Sequence, residues 1–297
     1  MKYIAAIDIG GTTFNSGIFS ESLDLIELSD KNKIRHYNGK NEVVEAIIDQ
    51  VNNLIKKNNI KKNDIIGLGV ASPGPLDSKK GVILDTPNLK IFQNYNITSD
   101  FTKKLNIDTH IENDANLFTL GEWYSQYRTH KVVMGVTLGT GLGFGLVING
   151  ELFTGGSGFA LEYGLSPFKW GKCEENVCIK FIRKRAKDLY GEEISPVIIE
   201  KYYKKGDKNA IKIYHEFGYN LGIVLSHVIN MIDPNVISIG GGLSNGYDCF
   251  KEVMFETLKI HAPSYSINNI IIAPSKLREK STIIGASLMI KNSKNNL

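Results

Sequence analysis

The chain has 297 residues, with 35 Lys plus Arg against 31 Asp plus Glu and a formal charge of +4 spread along its length. That length lets two domains each bury a core, and dispersed charge argues against a nucleic-acid partner. Three cysteines, Cys173, Cys178 and Cys249, are too few for a disulfide scaffold and fit a reducing compartment.

At the N-terminus, Asp8 and the glycines after it interrupt the first apolar run. The basic region, apolar core and cleavage site of a signal peptide are missing, so a cytoplasmic location is expected. Tyr3 to Ile7 and Phe14 to Phe19 read as strands flanking Asp8-Ile9-Gly10-Gly11-Thr12-Thr13. Leu25 to Leu28 reads as a third strand. A helix follows, with Val43, Val44, Ile47, Ile48, Val51, Leu54 and Ile55 on one face and Asn41 as its candidate N-cap. Ile65 to Ala71 is an expected buried strand running into the rigid turn Ser72-Pro73-Gly74-Pro75. Ile107 to Ile111 is another, ending at Glu112-Asn113-Asp114-Ala115-Asn116, after which Leu117, Leu120 and Trp123 suggest a helix. Such strand-turn-helix junctions bind ligands in open α/β sheets, and a domain boundary is expected here.

Val132 to Ile148 is apolar and long enough to suggest a membrane span, but its five glycines and β-branched flanks favour a buried hairpin, and no membrane association is expected. Its strands, Val132 to Val136 and Phe144 to Ile148, flank Leu138-Gly139-Thr140-Gly141-Leu142-Gly143, repeating the design of the first hairpin. Beyond it, helices are expected over Val177 to Leu189, Pro196 to Lys204 and Asn209 to Met231. A strand over Val236 to Ile239 ends in Gly240-Gly241-Gly242. A helix around Tyr247 to Ile260, a strand over Ile270 to Ala273 and a helix from Ser281 to Ile290 complete the chain before a polar tail.

Glycine turns let backbone N–H groups approach phosphate oxygens, and two of them would grip a nucleoside triphosphate. Asp8, between a buried strand and such a turn, reads either as a Mg²⁺ ligand, directly or through water, or as a turn-capping residue. The second turn and Gly240-Gly241-Gly242 favour nucleotide binding. None of these segments fits a dinucleotide fingerprint or a Walker loop. Asn113 and Asp114 read equally as a hydroxyl-orienting amide with a proton-accepting carboxylate, or as a helix N-cap pair. Asn88 and Glu162 are further polar candidates in apolar, turn-like contexts.

Asp8-Ile9-Gly10-Gly11-Thr12, Pro73-Gly74-Pro75, Pro87-Asn88-Leu89, Glu112-Asn113-Asp114-Ala115-Asn116, Leu138-Gly139-Thr140-Gly141, Glu162-Tyr163-Gly164 and Ile239-Gly240-Gly241-Gly242 occur in the order found in the ROK family of sugar kinases and repressors. The chain resembles that family over nearly its whole length. The resemblance implies an α/β, actin-like ATPase (ribonuclease H-like) fold of two lobes with a central ligand cleft. The N-terminal α/β lobe would span 1–116, completed by the C-terminal helix over 281–292, and the C-terminal α/β lobe 117–280. It also implies ATP- and Mg²⁺-dependent phosphorylation of a hexose 6-hydroxyl, and a homodimer. Asp114 would be the general base, with Gly74, Asn88, Asn113, Asp114 and Glu162 at the sugar. Asp8, Gly10, Gly11, Thr12, Thr13, Thr140 and Gly141 would line the phosphate and metal path, and Gly241 and Gly242 the adenosine.

The family's repressors carry a winged helix-turn-helix ahead of the first hairpin, which here begins within the first ten residues; a sugar-sensing regulator without a DNA-binding domain is the non-enzymatic alternative. Family members commonly hold a structural zinc with one His and three Cys. Leu165 stands at the His position and Gly171 at the first Cys, leaving Cys173 and Cys178, so no structural zinc site is expected. Leu165, Phe168 and Trp170 would hold that loop instead. Lys180 replaces a Glu that touches the sugar in many relatives, and Thr13 stands where many have Lys. Leu165, which cannot hydrogen-bond, and the loss of a carboxylate at 180 point to an N-acetylated hexosamine, N-acetylmannosamine first. N-acetylglucosamine, glucose and fructose are the alternatives, since Glu174 or Glu175 could restore a glucose-like site.

Overall fold

The computed structural model describes residues 1–87, 89–169 and 171–295. Asn88 and Trp170 lie outside the described residues. The chain forms two compact units, Met1–Ser125 with Thr154–Ala160 and Glu279–Leu297, and Gln126–Phe153 with Leu161–Arg278.

The first unit runs β1 (Tyr3–Ile9), β2 (Thr13–Ser20), β3 (Leu25–Leu28), β4 (Asn32–Lys33), α1 (Lys40–Lys57) and β5 (Ile65–Ser72). A small antiparallel sheet follows, β6 (Leu76–Asp77), β7 (Val82–Ile83) and β8 (Tyr95–Asn96), then α2 (Ile97–Leu105), β9 (Thr109–Asn113) and α3 (Asp114–Gln126). The main sheet has the order β3-β2-β1-β5-β9, with β4 beside β2. β1 and β2 are an antiparallel hairpin, while β1, β5 and β9 run parallel. All seven apolar residues expected on one face of α1 are buried, and they share a core with Ile7, Ile9, Phe14, Val70 and Ile111.

Asn41 is not the N-cap of α1. The helix starts at Lys40 with Gly39 at the cap, where φ of 118° suits only glycine, and Glu42 Oε2 accepts from Asn38 N at 2.8 Å. The strand expected over 107–111 is Thr109–Asn113, because the ladder with β5 runs from Leu68↔Thr109 to Ser72↔Asn113. Ile107 serves instead as a buried anchor before it.

A C-terminal helix, Lys280–Asn295, belongs to this first unit. It approaches α3 so closely that a Cβ on Gly285 would lie 1.8 Å from the Leu117 carbonyl oxygen. This crossing explains why the first unit extends to Ser125 and not to the expected boundary at 116, which would cut α3 in its first turn. The helix also continues beyond Ile290 into the polar residues expected as a tail.

The second unit runs β10 (Val132–Leu138), β11 (Leu142–Ile148), β12 (Glu151–Leu152), β13 (Pro167–Phe168), β14 (Gly171–Lys172), α4 (Cys173–Asn176), α5 (Ile179–Tyr190), α6 (Pro196–Lys204) and α7 (Lys208–Ile232). It continues with β15 (Val236–Gly240), α8 (Tyr247–His261), α9 (Pro263–Asn268) and β16 (Ile271–Pro274). Its sheet order is β12-β11-β10-β15-β16, again a hairpin, β10–β11, extended by parallel strands. The helix expected over 177–189 begins later, at Ile179: Val177 and Cys178 lie between α4 and α5, Cys178 with an extended backbone, and both side chains are buried. Among the described residues no helix is long and apolar enough to cross a membrane.

Candidate active site

In the first unit the ladder aligns Asp8 with Ala71, Ala71 with Glu112, and Ser72 with Asn113. The carboxyl ends of three adjacent parallel strands therefore carry Asp8, Ser72-Pro73-Gly74 and Asn113-Asp114, with β1 and β9 about 10 Å apart. Gly74 precedes a cis bond to Pro75. The glycine turn beside them is closed by Gly10 N donating to Thr13 O at 2.8 Å, and Ile34 N donates to Thr12 O at 2.9 Å. Gly11 and Thr12 are exposed, and Thr13 opens β2.

Asn113 Oδ1 accepts from Ala115 N at 2.9 Å and from Asn116 N at 3.3 Å, so it caps α3. Its Nδ2 amide stays as a donor, and capping does not exclude ligand binding. Asp114 Oδ1 accepts from Ala115 N at 2.8 Å, leaving Oδ2. Both Asp114 and Asp8 are half-buried. Burial holds the Asp114 carboxyl above the usual range. Burial, then repulsion from Asp114, pushes Asp8 up to about 7, opposed by Lys31.

Lys31 and Glu112 carry parts of this site that local sequence did not single out. Lys31 Nζ pairs with Glu279 at 2.8 Å and is the cation nearest in effect to Asp8. Its loop bears no local signal for that placement. Glu112 is buried, its Oε1 accepting from Asn113 N at 2.8 Å and Asn116 Nδ2 at 3.0 Å, and desolvation raises its pKa. It braces the β9–α3 junction from inside, a role that a second acid in the Glu112-Asn113-Asp114 run could have suggested.

In the second unit, Gly139 N donates to Gly141 O at 3.0 Å and Ile179 N to Gly139 O at 3.0 Å, tying the glycine turn to the start of α5. Thr140, Gly241 and Gly242 are exposed. Gly241 has φ of 80°, and a Cβ there would lie 2.4 Å from the Leu138 carbonyl oxygen, so the residues after β15 press against the end of β10. Glu162 begins a single helical turn, Glu162–Leu165, seated on β11 where Gly164 meets the Leu142 carbonyl. Glu162 and Leu165 are both exposed. Thr140, Gly141, Glu162, Gly241 and Gly242 thus gather around the ends of β10, β11 and β15. Asn88 lies outside the described residues.

Asp8 and Asp114 repel one another, an arrangement that a divalent cation relieves. Among the described residues no three His, Cys, Asp or Glu side chains gather into a metal cage. One or two carboxylates suit Mg²⁺, which keeps water and phosphate oxygens as its other ligands.

The ROK family model matches residues 4–293. An N-acetyl-D-glucosamine kinase of Pectobacterium atrosepticum is 31% identical over 279 residues, 86% of this chain and 88% of the relative. A ROK family glucokinase from Streptomyces griseus, solved with glucose and AMPPNP, is similar with a TM-score of 0.77 at 21% identity, covering 97% of this chain and 98% of that one. A Listeria monocytogenes protein with a suggested N-acetylmannosamine kinase activity is similar with a TM-score of 0.79 at 25% identity, covering 99% and 100%. These likenesses and the repeated sheet order show the α/β actin-like ATPase fold expected from the sequence.

Proposed function

The chain belongs to the ROK family, and from that premise we propose that it is an ATP-dependent sugar kinase acting on the 6-hydroxyl of a hexose, N-acetylmannosamine first among the candidates. The observation that carries the kinase reading is the placement of Asp8 and the Asn113-Asp114 step at the carboxyl ends of two parallel strands, β1 and β9, with β5 between them, beside a closed glycine turn. Relatives with sugar kinase activities support it.

In this reading the free Oδ2 of Asp114 takes the proton of the attacking hydroxyl, and the Asn113 amide orients the sugar. Gly74, Glu162 and, on sequence grounds alone, Asn88 complete the sugar contacts. Mg²⁺-bound ATP supplies the phosphoryl group and neutralises its charge. Asp8 would hold the metal, directly or through water. Amides and hydroxyls of Gly10, Gly11, Thr12, Thr13, Thr140 and Gly141 would receive phosphate oxygens, and Gly241 and Gly242 would flank the adenosine. A cytoplasmic location is proposed from the sequence alone, and a homodimer from the family resemblance alone.

The substrate preference rests on Leu165, which is 51% exposed and cannot hydrogen-bond through its side chain. Contact with an acetyl methyl would contribute up to about 1 kcal/mol. The test is ADP release measured with N-acetylmannosamine, N-acetylglucosamine, glucose and fructose under identical conditions. The expected result is the highest kcat/KM for N-acetylmannosamine. A clear preference for glucose or fructose would overturn the substrate while leaving the kinase reading in place, and sugar binding without turnover of any sugar would favour a sensor.

A further inference from the structure

The segment between the Glu162–Leu165 turn and α5 is closed by a set of hydrogen bonds centred on Asn220 of α7, a side chain with only 1% exposure. Asn220 Oδ1 accepts from Lys169 Nζ at 2.6 Å, and its Nδ2 donates to Asn176 O at 3.2 Å. Asn176 Nδ2 donates in turn to Phe168 O at 3.4 Å and Lys172 O at 2.9 Å. Cys173 N donates to Ser166 O at 2.9 Å. Both ends of the Asn220 amide are therefore spent holding one loop on one helix. Lys169 adopts a left-handed φ of 55°, a conformation a lysine keeps only where its surroundings fix it.

This closure separates the roles of two adjacent acids. Glu175 Oε2 accepts from Lys172 N at 3.0 Å, so it is committed to starting α4. Glu174 points the other way: its Oε2 lies 3.0 Å from where a Cβ on Gly141 would stand. Among the described residues no cation pairs with it. A bare carboxylate thus stands beside the turn that the kinase reading assigns to phosphate oxygens. A like charge there disfavours any naked phosphate, and the penalty falls when the phosphate arrives with a divalent cation.

Resting on that reading, we propose that Glu174 biases the Gly139–Gly141 turn toward metal-complexed nucleotide over free nucleotide, and that Asn220 is the positioning residue that holds Glu174 in place. The test is equilibrium binding of ATP to the full chain, once with excess Mg²⁺ and once with EDTA. Glu174→Gln is expected to raise the affinity for metal-free ATP about tenfold, the order of a partly screened charge–charge interaction at short range, with little change for Mg²⁺-bound ATP. Asn220→Ala should narrow the same ratio, and the double variant should add nothing further, because both changes act through one carboxylate. Lys169→Met, at an exposed position, gives a milder opening of the same loop should Asn220→Ala fail to fold. An unchanged ratio in Glu174→Gln overturns the proposal. A shifted ratio there, with neither Asn220→Ala nor Lys169→Met moving it, overturns the role of Asn220. No nucleotide binding by the unaltered chain under either condition overturns the kinase reading itself.

Discussion

The two units share one plan and differ at its most exposed corner. In each, a hairpin closes over a short glycine turn, and the first hairpin strand pairs with a parallel strand from later in the chain. The last paired residues are Ile9↔Phe14 in the first unit and Leu138↔Leu142 in the second. One step back, the first unit has Asp8 opposite Ala71, and the second has Thr137 opposite Gly240. The first unit thus delivers its carboxylates from strand ends, where the sheet fixes them. The second has a neutral strand end crowded by backbone, and its nearby carboxylate, Glu174, comes from a short helix held by side-chain hydrogen bonds. A duplicated framework can assign chemistry to one copy and ligand selection to the other without altering the sheet.

The comparison is broken most sharply at Asp114. Asp114→Asn keeps the shape and the bond to Ala115 N but cannot accept a proton, so kcat should fall on the order of 10²–10⁴-fold while sugar affinity persists. Near-normal turnover would return Asp114 to a purely capping role. Asp8→Asn comes next, making the strand end of the first unit neutral like that of the second. The metal concentration for half-maximal activity should then rise, by about 10- to 100-fold if Asp8 holds the cation through water. An unchanged metal titration would reduce Asp8 to a turn residue.

Most of the sheet was legible because buried apolar runs bounded by glycine leave few alternatives. The helix Pro196–Lys204 matches its expected limits, since Pro at its first position marks the start. The two-residue strands β6 to β8 escaped notice, being too short to show a period. The break between α4 and α5 escaped as well: Val177 and Cys178 read as the start of a helix, but Val177 is drawn with Cys173 into the core and Cys178 is buried beside it in sequence. At the candidate site, residues contiguous in sequence were found and residues joined by long connections were not. Lys31 and Glu279 reach the neighbourhood of Asp8 from loops that carry no periodic or motif signal. Which of Glu174 and Glu175 faces the turn depends on Asn220, more than forty residues onward.

A third prediction compares how the units are closed. Gly285→Ala places a methyl against the Leu117 backbone, which cannot move aside as a flexible side chain would. The first unit should lose about 1–3 kcal/mol, seen as a lower Tm. Gly241→Ala meets the Leu138 backbone at positive φ, so it too should destabilise, by about 1–3 kcal/mol, but with nucleotide affinity falling alongside. Equal nucleotide affinity in the two variants would remove the reason for placing Gly241 at the ligand.

The smallest expected effect is that of zinc chelation, and it sharpens the contrast because the first unit is proposed to depend on a divalent cation for activity. A structural zinc needs four nitrogen or sulfur ligands and contributes directly to folding. Leu165 and Gly171 supply neither at their positions. Cys173 and Cys178 are buried, and two thiols fall short of the four ligands such a site needs. Cys173 packs in the apolar core, and the loop is joined to α7 through Asn220, Asn176 and Lys169. Thermal unfolding without nucleotide should therefore give the same Tm before and after treatment with a zinc chelator. Stoichiometric zinc in the purified protein, together with a lower Tm once it is removed, would refute this and assign the loop to a metal.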